Sequence, residues 1–351
     1  MNVLCVNAGS STLKLALFDG ERRVAGTQVR GNGRQELESA IAQLVATPPE
    51  AIGHRLVHGG PERHLPSRID AALLGSLRKI VAFAPLHLPP ALEAIEAMAS
   101  RYPGVPQVAC FDTHFHWNLP ERARRLPLPE AVHAAGVRKY GFHGLSYEFI
   151  VSQMDARLGA RAVIAHLGNG ASLAAVEAGR CVDTTMAFTP ASGVVMSTRP
   201  GDLDPGVLVH LMASRSAEEL GRMIERECGL TAISGGTSDM KTLLERRKTD
   251  ARCELAVEIF VLSCRKAVGA LAAVMGGVDS LVFTGGIGEN AADVRAEVGA
   301  GLSHLGVRID QEANFAGRER ISTAESDCAV YVVPTDEDRM IARHAREVVG
   351  G

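Results

Sequence analysis

The 351-residue chain has few aromatic residues, no long apolar run and no excess of positive charge. Phe, Trp and Tyr make up only 4% of it, which disfavours a carbohydrate-binding or single-strand stacking platform. Lys and Arg total 37 against 40 Asp and Glu, for a formal net charge of −3, so nucleic acid is not expected as a partner. The most apolar uncharged run, Ala267–Val278, is too short to cross a bilayer, and the N-terminal residues lack a secretory pattern. A cytoplasmic protein with no membrane partner is expected.

The cysteines indicate reduced thiols, not disulfides or a metal knuckle. The chain has seven of them, an odd number, and no C-x-x-C pair. The hydrophobic fraction of 46% is ordinary for a folded protein, and the length suggests two domains of roughly 150 residues each.

Three segments share one pattern, a short apolar run that ends abruptly in small polar residues. They are Val3–Val6 before Asn7–Ser11, Val163–His166 before Gly168–Ser172, and Leu281–Phe283 before Thr284–Asn290. A buried strand followed by a tight small-residue turn brings backbone N–H groups close to an anion. These turns are therefore candidate phosphate sites.

The first two segments can be superposed at an offset of 160 residues, with Val3 on Val163 and Leu13 on Leu173. Each continues into two further predicted strands, which favours a duplicated β-meander over a chance match of two α/β segments. Helical spacing of apolar residues lies between the strands, at Gln35–Val45, Ala91–Ser100, Leu145–Leu158, Ala217–Cys228 and Arg252–Met275. Ser238 is a candidate N-cap, and Pro85–Pro90 is predicted as a loop. Strands alternating with helices indicate an α/β fold with mixed sheets.

The sequence also suggests two alternative kinds of site, a dinucleotide site and a zinc site. Gly286–Ala291 fits G-x-G-x-x-A, and Asp310 follows where a ribose-binding acid would lie, as in a Rossmann dinucleotide site. Only about forty residues follow Asp310, too few for the rest of such a sheet, so this reading ranks second. His114 and His116 alternate as two zinc ligands on a strand would, but no Cys or acid completes a tidy set.

Four further loops combine glycine with basic or acidic residues, which suits close approach to an anion. They are Gly53–Gly60, Phe111–His116, Tyr140–Gly144 and Ser197–Asp202. No G-x-x-x-x-G-K-[ST] sequence occurs, so the chain has no Walker P-loop.

Taken together, these motifs resemble the acetokinase family, within the actin-like, sugar-kinase ATPase superfamily. The similarity runs from Val3 to Arg343. Its ordered motifs are Asn7–Lys14, Gly53–Gly60, Ala84–His87, Phe111–His116, Arg138–Gly144, His166–Ser172, Phe188–Pro205, Ile233–Met240, Phe283–Asn290 and Val333–Arg343. The resemblance implies two duplicated actin-like (ribonuclease H-like) domains with mixed β-sheets flanked by helices. Residues 1–117 with 339–351 would form a trimmed carboxylate-side domain, and residues 118–338 a nucleotide-side domain.

The resemblance also implies roles for individual residues. Arg55 would bind a carboxylate, and a methyl pocket would be lined by Val57, Leu86, Phe142 and Pro190. Asp112, His143 and Arg199 would be catalytic, and Asn7 and Glu337 would hold the metal. The nucleotide would be bound by Ser10, Thr12, Lys14, His166, Gly168, Asn169, Gly170, Asp239, Lys241, Gly286, Ile287, Gly288, Glu289 and Asn290. Val57 stands two residues after Arg55, so an extended strand would put both on one face, unless Val57 merely fills core.

The implied activity is reversible, Mg²⁺-dependent phosphoryl transfer from ATP, the co-substrate, to acetate, giving acetyl phosphate and ADP. Mn²⁺ is the alternative metal, and a homodimer is expected. The alternatives are a relative that prefers propionate or butyrate, or an actin-type ATPase that drives conformation. Because acetate is already ionised at neutral pH, Asp112 is better interpreted as an organiser of metal, water or Arg55 than as a general base.

Two features depart from the family pattern. Lys241 stands where the family usually has Arg, and it lacks the planar face that can stack on a purine. The chain is also shorter than usual members, chiefly between Asp19 and Gly53.

Overall fold

The first half of the chain forms a six-stranded mixed sheet in a computed structural model that describes residues 1–8, 12–31, 33–45 and 47–350. Its strands are β1 (Asn2–Ala8), β2 (Thr12–Asp19), β3 (Arg22–Arg30), β4 (Ala51–Leu56), β5 (Ser67–Arg68) and β6 (Gln107–Phe111). The order is β3-β2-β1-β4-β6-β5, with β1, β4 and β6 parallel at the centre. These three strands are almost wholly buried, as expected for parallel strands covered on both faces.

The second half forms a five-stranded sheet of matching design. Its strands are β7 (Arg161–Leu167), β8 (Ala171–Glu177), β9 (Arg180–Thr184), β10 (Ser280–Thr284) and β11 (Ala329–Val332). The order is β11-β10-β7-β8-β9, with β10 parallel to both β7 and β11.

The predicted duplication is confirmed. An antiparallel meander is followed by a strand parallel to its first member in both halves. β1 and β7 begin at Asn2 and Arg161 and end at Ala8 and Leu167, within one residue of the predicted offset of 160.

The helices fill the segments between the strands. They are α1 (Arg34–Leu44), α2 (Ala71–Lys79), α3 (Leu88–Arg101), α4 (Glu121–Arg124), α5 (Glu130–Ala134), α6 (Gly144–Met154), α7 (Pro205–Leu211), α8 (Ala217–Arg226), α9 (Gly229–Ser234), α10 (Met240–Arg246), α11 (Ala251–Met275), α12 (Gly285–Asn290), α13 (Ala292–Ala300), α14 (Gln311–Phe315) and α15 (Glu337–Gly350). Short 3₁₀ turns occur at Val81–Phe83, His114–His116, Asp155–Leu158 and Ser303–Leu305.

Of three local predictions, two were wrong and one was partly right. The N-cap of α10 is Asp239, whose carboxylate accepts the N–H of Thr242, and not Ser238. Pro89 and Pro90 lie in the first turn of α3, where a missing N–H costs nothing, so Pro85–Pro90 is only partly a loop. The predicted third turn is the short helix α12, which begins directly after β10.

Helices α6 and α15 lie between the two sheets. Ile341 and Ala345 of α15 share one apolar cluster with Ala51 and Val108 of the first sheet. The same cluster contains Leu145 and Ile150 of α6, together with Ile164 and Val176 of the second sheet. The layers therefore run sheet, α15, α6, sheet, and one continuous core joins the two halves.

The outer faces are covered separately. Apolar residues of α11 pack on β7, β8 and β10, while α1 and α3 pack on β1, β2 and β4. Within the described ranges, no helix has the length and apolarity needed to cross a membrane.

The Rossmann alternative was wrong. The strand before Gly286 lies in a mixed sheet containing antiparallel β7 and β8. Asp310 does not reach a ribose site; it caps α14 by accepting the N–H of Ala313 at 3.0 Å.

Candidate active site

A cleft of about 1820 Å³ is lined by residues from both halves of the chain. Asn7 near the end of β1 and Arg55 near the end of β4 line one side, and His166 near the end of β7 lines the other. Sites at the carboxyl ends of parallel strands are the rule for such sheets. The volume exceeds the roughly 300–1,000 Å³ of a single small-ligand pocket, so two substrates can be accommodated together.

Arg55, Asp112 and Asn7 form a hydrogen-bonded group on the first side. β4 and β6 are parallel neighbours, which brings Arg55 next to Asp112, the residue that follows β6. Arg55 donates from Nε to Asp112 Oδ2 at 2.9 Å, from a second nitrogen to the same oxygen, and from Nη1 to Asn7 Oδ1 at 3.1 Å. Burial opposes the Arg55 charge, but the carboxylates of Asp112 and Glu337 outweigh it and raise the pKa of the guanidinium. Arg55 is therefore a fixed, permanent cation at the cleft.

Asp112 lies behind the cleft wall with no exposed surface. Burial raises the pKa of its carboxyl, and the neighbouring Arg55 opposes that rise. Its backbone N–H donates to Leu56 and its carbonyl accepts from Gly144, so both peptide groups are fixed. A Cβ on Gly144 would lie 2.1 Å from that carbonyl, so the contact requires glycine. Asp112 Oδ1 is buried without a hydrogen-bond partner among the described residues, and so can accept one more donor or ligand.

His143 is held as a neutral ring. It adopts a left-handed conformation (φ 57°) immediately before α6. Burial lowers its pKa well below the usual range, and the neighbouring His166, Arg55 and Arg199 lower it further. Its Nδ1 lies 2.9 Å from Ser172 Oγ, which lies 2.5 Å from Tyr147 Oη.

These contacts link Tyr147, Ser172 and His143 in one hydrogen-bonded chain. Burial raises the pKa of Tyr147, so its hydroxyl stays protonated. The Ser172 hydroxyl can both donate and accept, so either partner can donate at each contact.

Arg199 and His143 converge on one point in the cleft. A Cβ placed on Gly170 would lie 2.9 Å from Arg199 Nη2 and 3.3 Å from His143 Nε2. Arg199 is oriented by donating from Nη1 to the carbonyl of Pro190 at 2.5 Å. Burial lowers the Arg199 pKa, and Arg55 across the cleft lowers it too, although Glu225 opposes this. Arg199 and the neutral His143 ring thus face a shared space, with Arg55 also lining the cleft, and this arrangement suits an anion.

Glu289 connects the segment that begins at Gly285 with the segment around Thr335. Its Oε1 accepts the N–H of Gly285 at 2.9 Å and the N–H of Thr335 at 3.1 Å. Thr335 Oγ1 bonds to Ser146, which bonds to His166 Nδ1 at 2.8 Å. The Glu289 carboxylate is therefore occupied in holding backbone N–H groups.

Most of the sequence-predicted site residues line the cleft. These are Asn7, Thr12, Lys14, Arg55, His143, His166, Gly168, Asn169, Gly170, Arg199, Asp239, Lys241, Gly286, Ile287, Glu289, Asn290 and Glu337. Asp112, Val57, Leu86, Phe142, Pro190 and Gly288 are not among the residues that line it. Ser10 lies outside the described residues.

The expected geometry of Val57 was wrong. β4 ends at Leu56, so Val57 is in a bend beyond the strand and the alternation argument does not apply to it. Val57 is buried in an apolar cluster that also contains Phe142.

Two residues with a place at the site were missed. His87 lines the cleft, and its pKa is lowered to about 4, mainly by burial and then by Arg55 and Arg199. Its position directly after Leu86 in a motif was a usable signal. Arg295 is buried and donates to the carbonyls of Gly288 and Glu289 at 2.9 Å, fixing the end of α12. A single Arg in a helical pattern gives no such signal.

The suggested zinc pair is not brought together. His114 and His116 lie on a 3₁₀ turn and not on a strand. The His116 ring is buried, with Nδ1 3.1 Å from Cys181 Sγ and Nε2 2.9 Å from the Phe142 carbonyl.

Two duplicated α/β halves around a cleft that gathers arginine, neutral imidazole and carboxylates define an actin-like phosphotransferase. The chain belongs to the acetokinase family, whose sequence model matches residues 34–343. It is 39% identical to the acetate kinase of Rhodopseudomonas palustris, over 99% of this chain and 98% of that one. It is similar to the crystal structure of Porphyromonas gingivalis acetate kinase (TM-score 0.88, 32% identity, 99% of each chain). It is also similar to that of a propionate kinase from Francisella tularensis (TM-score 0.91, 32% identity, 99% of each chain).

The chain is shorter than the acetate kinase of R. palustris. The R. palustris alignment extends over 394 positions against 351 residues here, so at least 43 positions have no counterpart in this chain.

Proposed function

We propose that this protein catalyses the reversible transfer of the γ-phosphoryl group of ATP to acetate, giving acetyl phosphate and ADP. The observation that carries the proposal is the convergence of Arg199 and His143 Nε2 at Gly170, opposite the fixed cation Arg55. A phosphoryl group in transit between two oxyanions needs positive charge and donors around its equatorial oxygens. Arg199 and His143 would supply these, and Arg55 would hold the carboxylate acceptor.

Asp112 would act as an organiser and not as a base. Acetate carries no proton to remove at neutral pH (reference carboxyl pKa roughly 4). Asp112 Oδ2 already accepts two hydrogen bonds from Arg55, and these bonds orient the guanidinium. Its other oxygen, buried and without a partner among the described residues, is left for a water or a ligand of the metal.

The donor set suits a divalent metal, for which we propose Mg²⁺, with Mn²⁺ as the alternative. Asn7, Glu337 and the unpartnered Asp112 Oδ1 offer oxygen atoms, the ligands that Mg²⁺ prefers, often through its waters. When bound, the ion would neutralise charge on the phosphates. Asn7 and Glu337 would hold it, and Arg55 would keep the Asn7 amide oriented through its hydrogen bond.

The nucleotide would occupy the second side of the cleft. Gly168–Gly170 and Gly286–Asn290 would receive it, with Gly288 inside α12, while Asp239 and Lys241 would lie near the base and ribose. Lys14 and Thr12, with Ser10, would face the phosphates. Lys241 would offer charge without a stacking plane.

Val57, Leu86, Phe142 and Pro190 would bound the acyl group from behind the residues that line the cleft. Val57 and Phe142 belong to the same buried apolar cluster, which supports an apolar wall formed by these two residues. Propionate is the second candidate acceptor, because the chain is as similar to a propionate kinase as to an acetate kinase of known structure.

We also propose domains at residues 1–117 with 339–351 and at 118–338, and a homodimer. The packing of α15 on β1, β4 and β6 supports returning the C-terminal helix to the first domain. Val209 and Met212 at α7 are 69% and 65% exposed, which supports a subunit contact there.

Trapping with hydroxylamine tests the proposal. The protein, Mg-ATP and hydroxylamine should give acyl hydroxamate with acetate, less with propionate and least with butyrate. Arg199→Ala should abolish most of the product, whereas Arg222→Ala, an exposed arginine paired with Glu227, should not. ATP hydrolysis without hydroxamate would indicate an actin-type ATPase and contradict the proposal.

A further inference from the structure

Three potential metal ligands meet outside the cleft. His114 lies on the 3₁₀ turn after β6, Glu148 on α6 and His344 on α15. One ligand atom from each lies within 4.8 Å of the other two. We propose that His114, Glu148 and His344 bind a transition-metal ion such as Zn²⁺, separately from the oxygen-lined site of the cleft.

His114 is prepared to ligate. Its Nδ1 lies 2.9 Å from the backbone carbonyl of His64, to which it can only donate, so the ring proton is on Nδ1. The other nitrogen, Nε2, keeps a free lone pair. Histidines that bind metals commonly donate their second ring nitrogen to a carbonyl in this way.

Glu148 and His344 each have one buried polar atom without a hydrogen-bond partner among the described residues. Glu148 Oε1 lies 2.9 Å from His344 Nε2, and the His344 side chain is only 3% exposed. Glu148 Oε2 and His344 Nδ1 are both buried without a hydrogen-bond partner among the residues described. Buried polar atoms without a partner destabilise the fold, and a bound ion would give these two atoms a partner.

The donor types select the class of metal. Two imidazole nitrogens and one carboxylate are a common zinc ligand set, with water in the fourth position. Glu148 and His114 are only partly buried, so the cluster lies near the protein surface. Mg²⁺ and Ca²⁺ prefer oxygen ligands and would compete poorly here.

The position of the cluster indicates a structural role. His114 follows Asp112 by two residues, Glu148 lies on the helix that His143 precedes, and His344 lies on the helix that begins at Glu337. One ion would therefore join three elements that each carry a residue near the cleft. It would also cross-link the two halves where α6 meets α15. This inference does not depend on the proposed activity.

Titration with Co²⁺ tests the site in the full-length protein. Metal-free protein in excess Mg²⁺ should bind one Co²⁺ per chain with the visible absorption of a tetrahedral site, and one equivalent of Zn²⁺ should remove it. Zn²⁺ should also raise the thermal midpoint. Glu148→Gln keeps the size of the side chain and its contact with His344, and should weaken binding by on the order of 100-fold.

Matched variants separate this site from others. His114→Ala should behave like Glu148→Gln, whereas His304→Ala, an exposed histidine on another turn, should bind as the wild type does. The metal-free thermal midpoint of Glu148→Gln should stay near that of the wild type, which shows that it folds. Absent visible absorption, equal affinity in Glu148→Gln, or a thiolate charge-transfer band from one of the seven cysteines would overturn the proposal.

Discussion

An arginine that lines the cleft is held by a backbone carbonyl and lies beside a glycine. Arg199 is oriented by the Pro190 carbonyl, and its other terminal nitrogen lies beside Gly170. If it stabilises the transferring group, Arg199→Ala should lower kcat by about 10²–10³, the usual loss for one preorganised donor. The nucleotide KM should change much less. A steady-state comparison with Arg222→Ala checks this, and a lost nucleotide affinity with an unchanged kcat would assign Arg199 to binding.

The size of the acyl pocket can be tested at Val57, which is buried beside Phe142. Val57→Ala would open room for one methylene, worth about 1–3 kcal/mol in an apolar pocket. The propionate-to-acetate ratio of kcat/KM should therefore rise, by near 10-fold.

Val163→Ala is the matched control, because Val163 is buried in the same apolar cluster on β7. It should lose stability without a change in that ratio. If Val57→Ala behaves in the same way, Val57 is a core residue and does not determine the size of the acyl group that is accepted.

At the scale of elements, α12 depends on a buried cation. Arg295 donates to the carbonyls of Gly288 and Glu289 and to Asn314, and burial lowers its pKa. Arg295→Met should leave these acceptors unpaired and cost about 1–3 kcal/mol for each. Because α12 borders the nucleotide side, the ATP KM should rise more than the acetate KM.

Arg265→Met provides the comparison for Arg295. Arg265 bonds to the carbonyl of Glu297 at the far end of α13, so its loss should lower stability without affecting the ATP KM. Chemical unfolding and steady-state kinetics on both variants decide the matter. Equal KM values in the two variants would mean that α12 holds its position without Arg295.

The elements that the sequence predicted best are those with local signals. The two meanders follow from short apolar runs and turns, and α11 from a long apolar periodicity. Arg55 and Asp112 could be expected to meet, because each lies at the end of a strand in one parallel sheet. The cap at Asp239 was misassigned by one residue because Ser238 and Asp239 are equally good caps by type.

Contacts between distant segments could not be predicted in this way. Glu148 and His344 are 196 residues apart, and neither belongs to a recognisable motif. Arg295 reaches Asn314 across a turn whose geometry the sequence does not reveal. The place of α15 between the sheets likewise depends on packing and not on its own periodicity.

For the whole molecule, buried histidines predict acid sensitivity. Burial is the main cause that lowers the pKa of five of them to about 4, namely His54, His58, His87, His116 and His166. Between about pH 6.5 and pH 4 the unfolded chain binds protons that the folded chain excludes. Stability should therefore be full above pH 6.5 and fall toward pH 4, by up to about 1.4 kcal/mol per pH unit for each histidine.

Urea unfolding across this range measures the effect. Asp112 and Asp338, whose pKa values burial raises, act in the opposite sense and reduce the total slope. His54→Gln should make the slope shallower by close to one proton, because His54 is buried against Gln107. A slope that is unchanged in this variant, or stability that rises toward pH 4, would contradict the prediction.

Phosphorus NMR of the reaction mixture tests most directly whether the cleft transfers phosphate to a carboxylate. With the protein, Mg-ATP and acetate, the account predicts an acetyl phosphate resonance that grows in step with ADP. Without acetate, neither should form. Release of inorganic phosphate with ADP at the same rate whether or not acetate is present would contradict it.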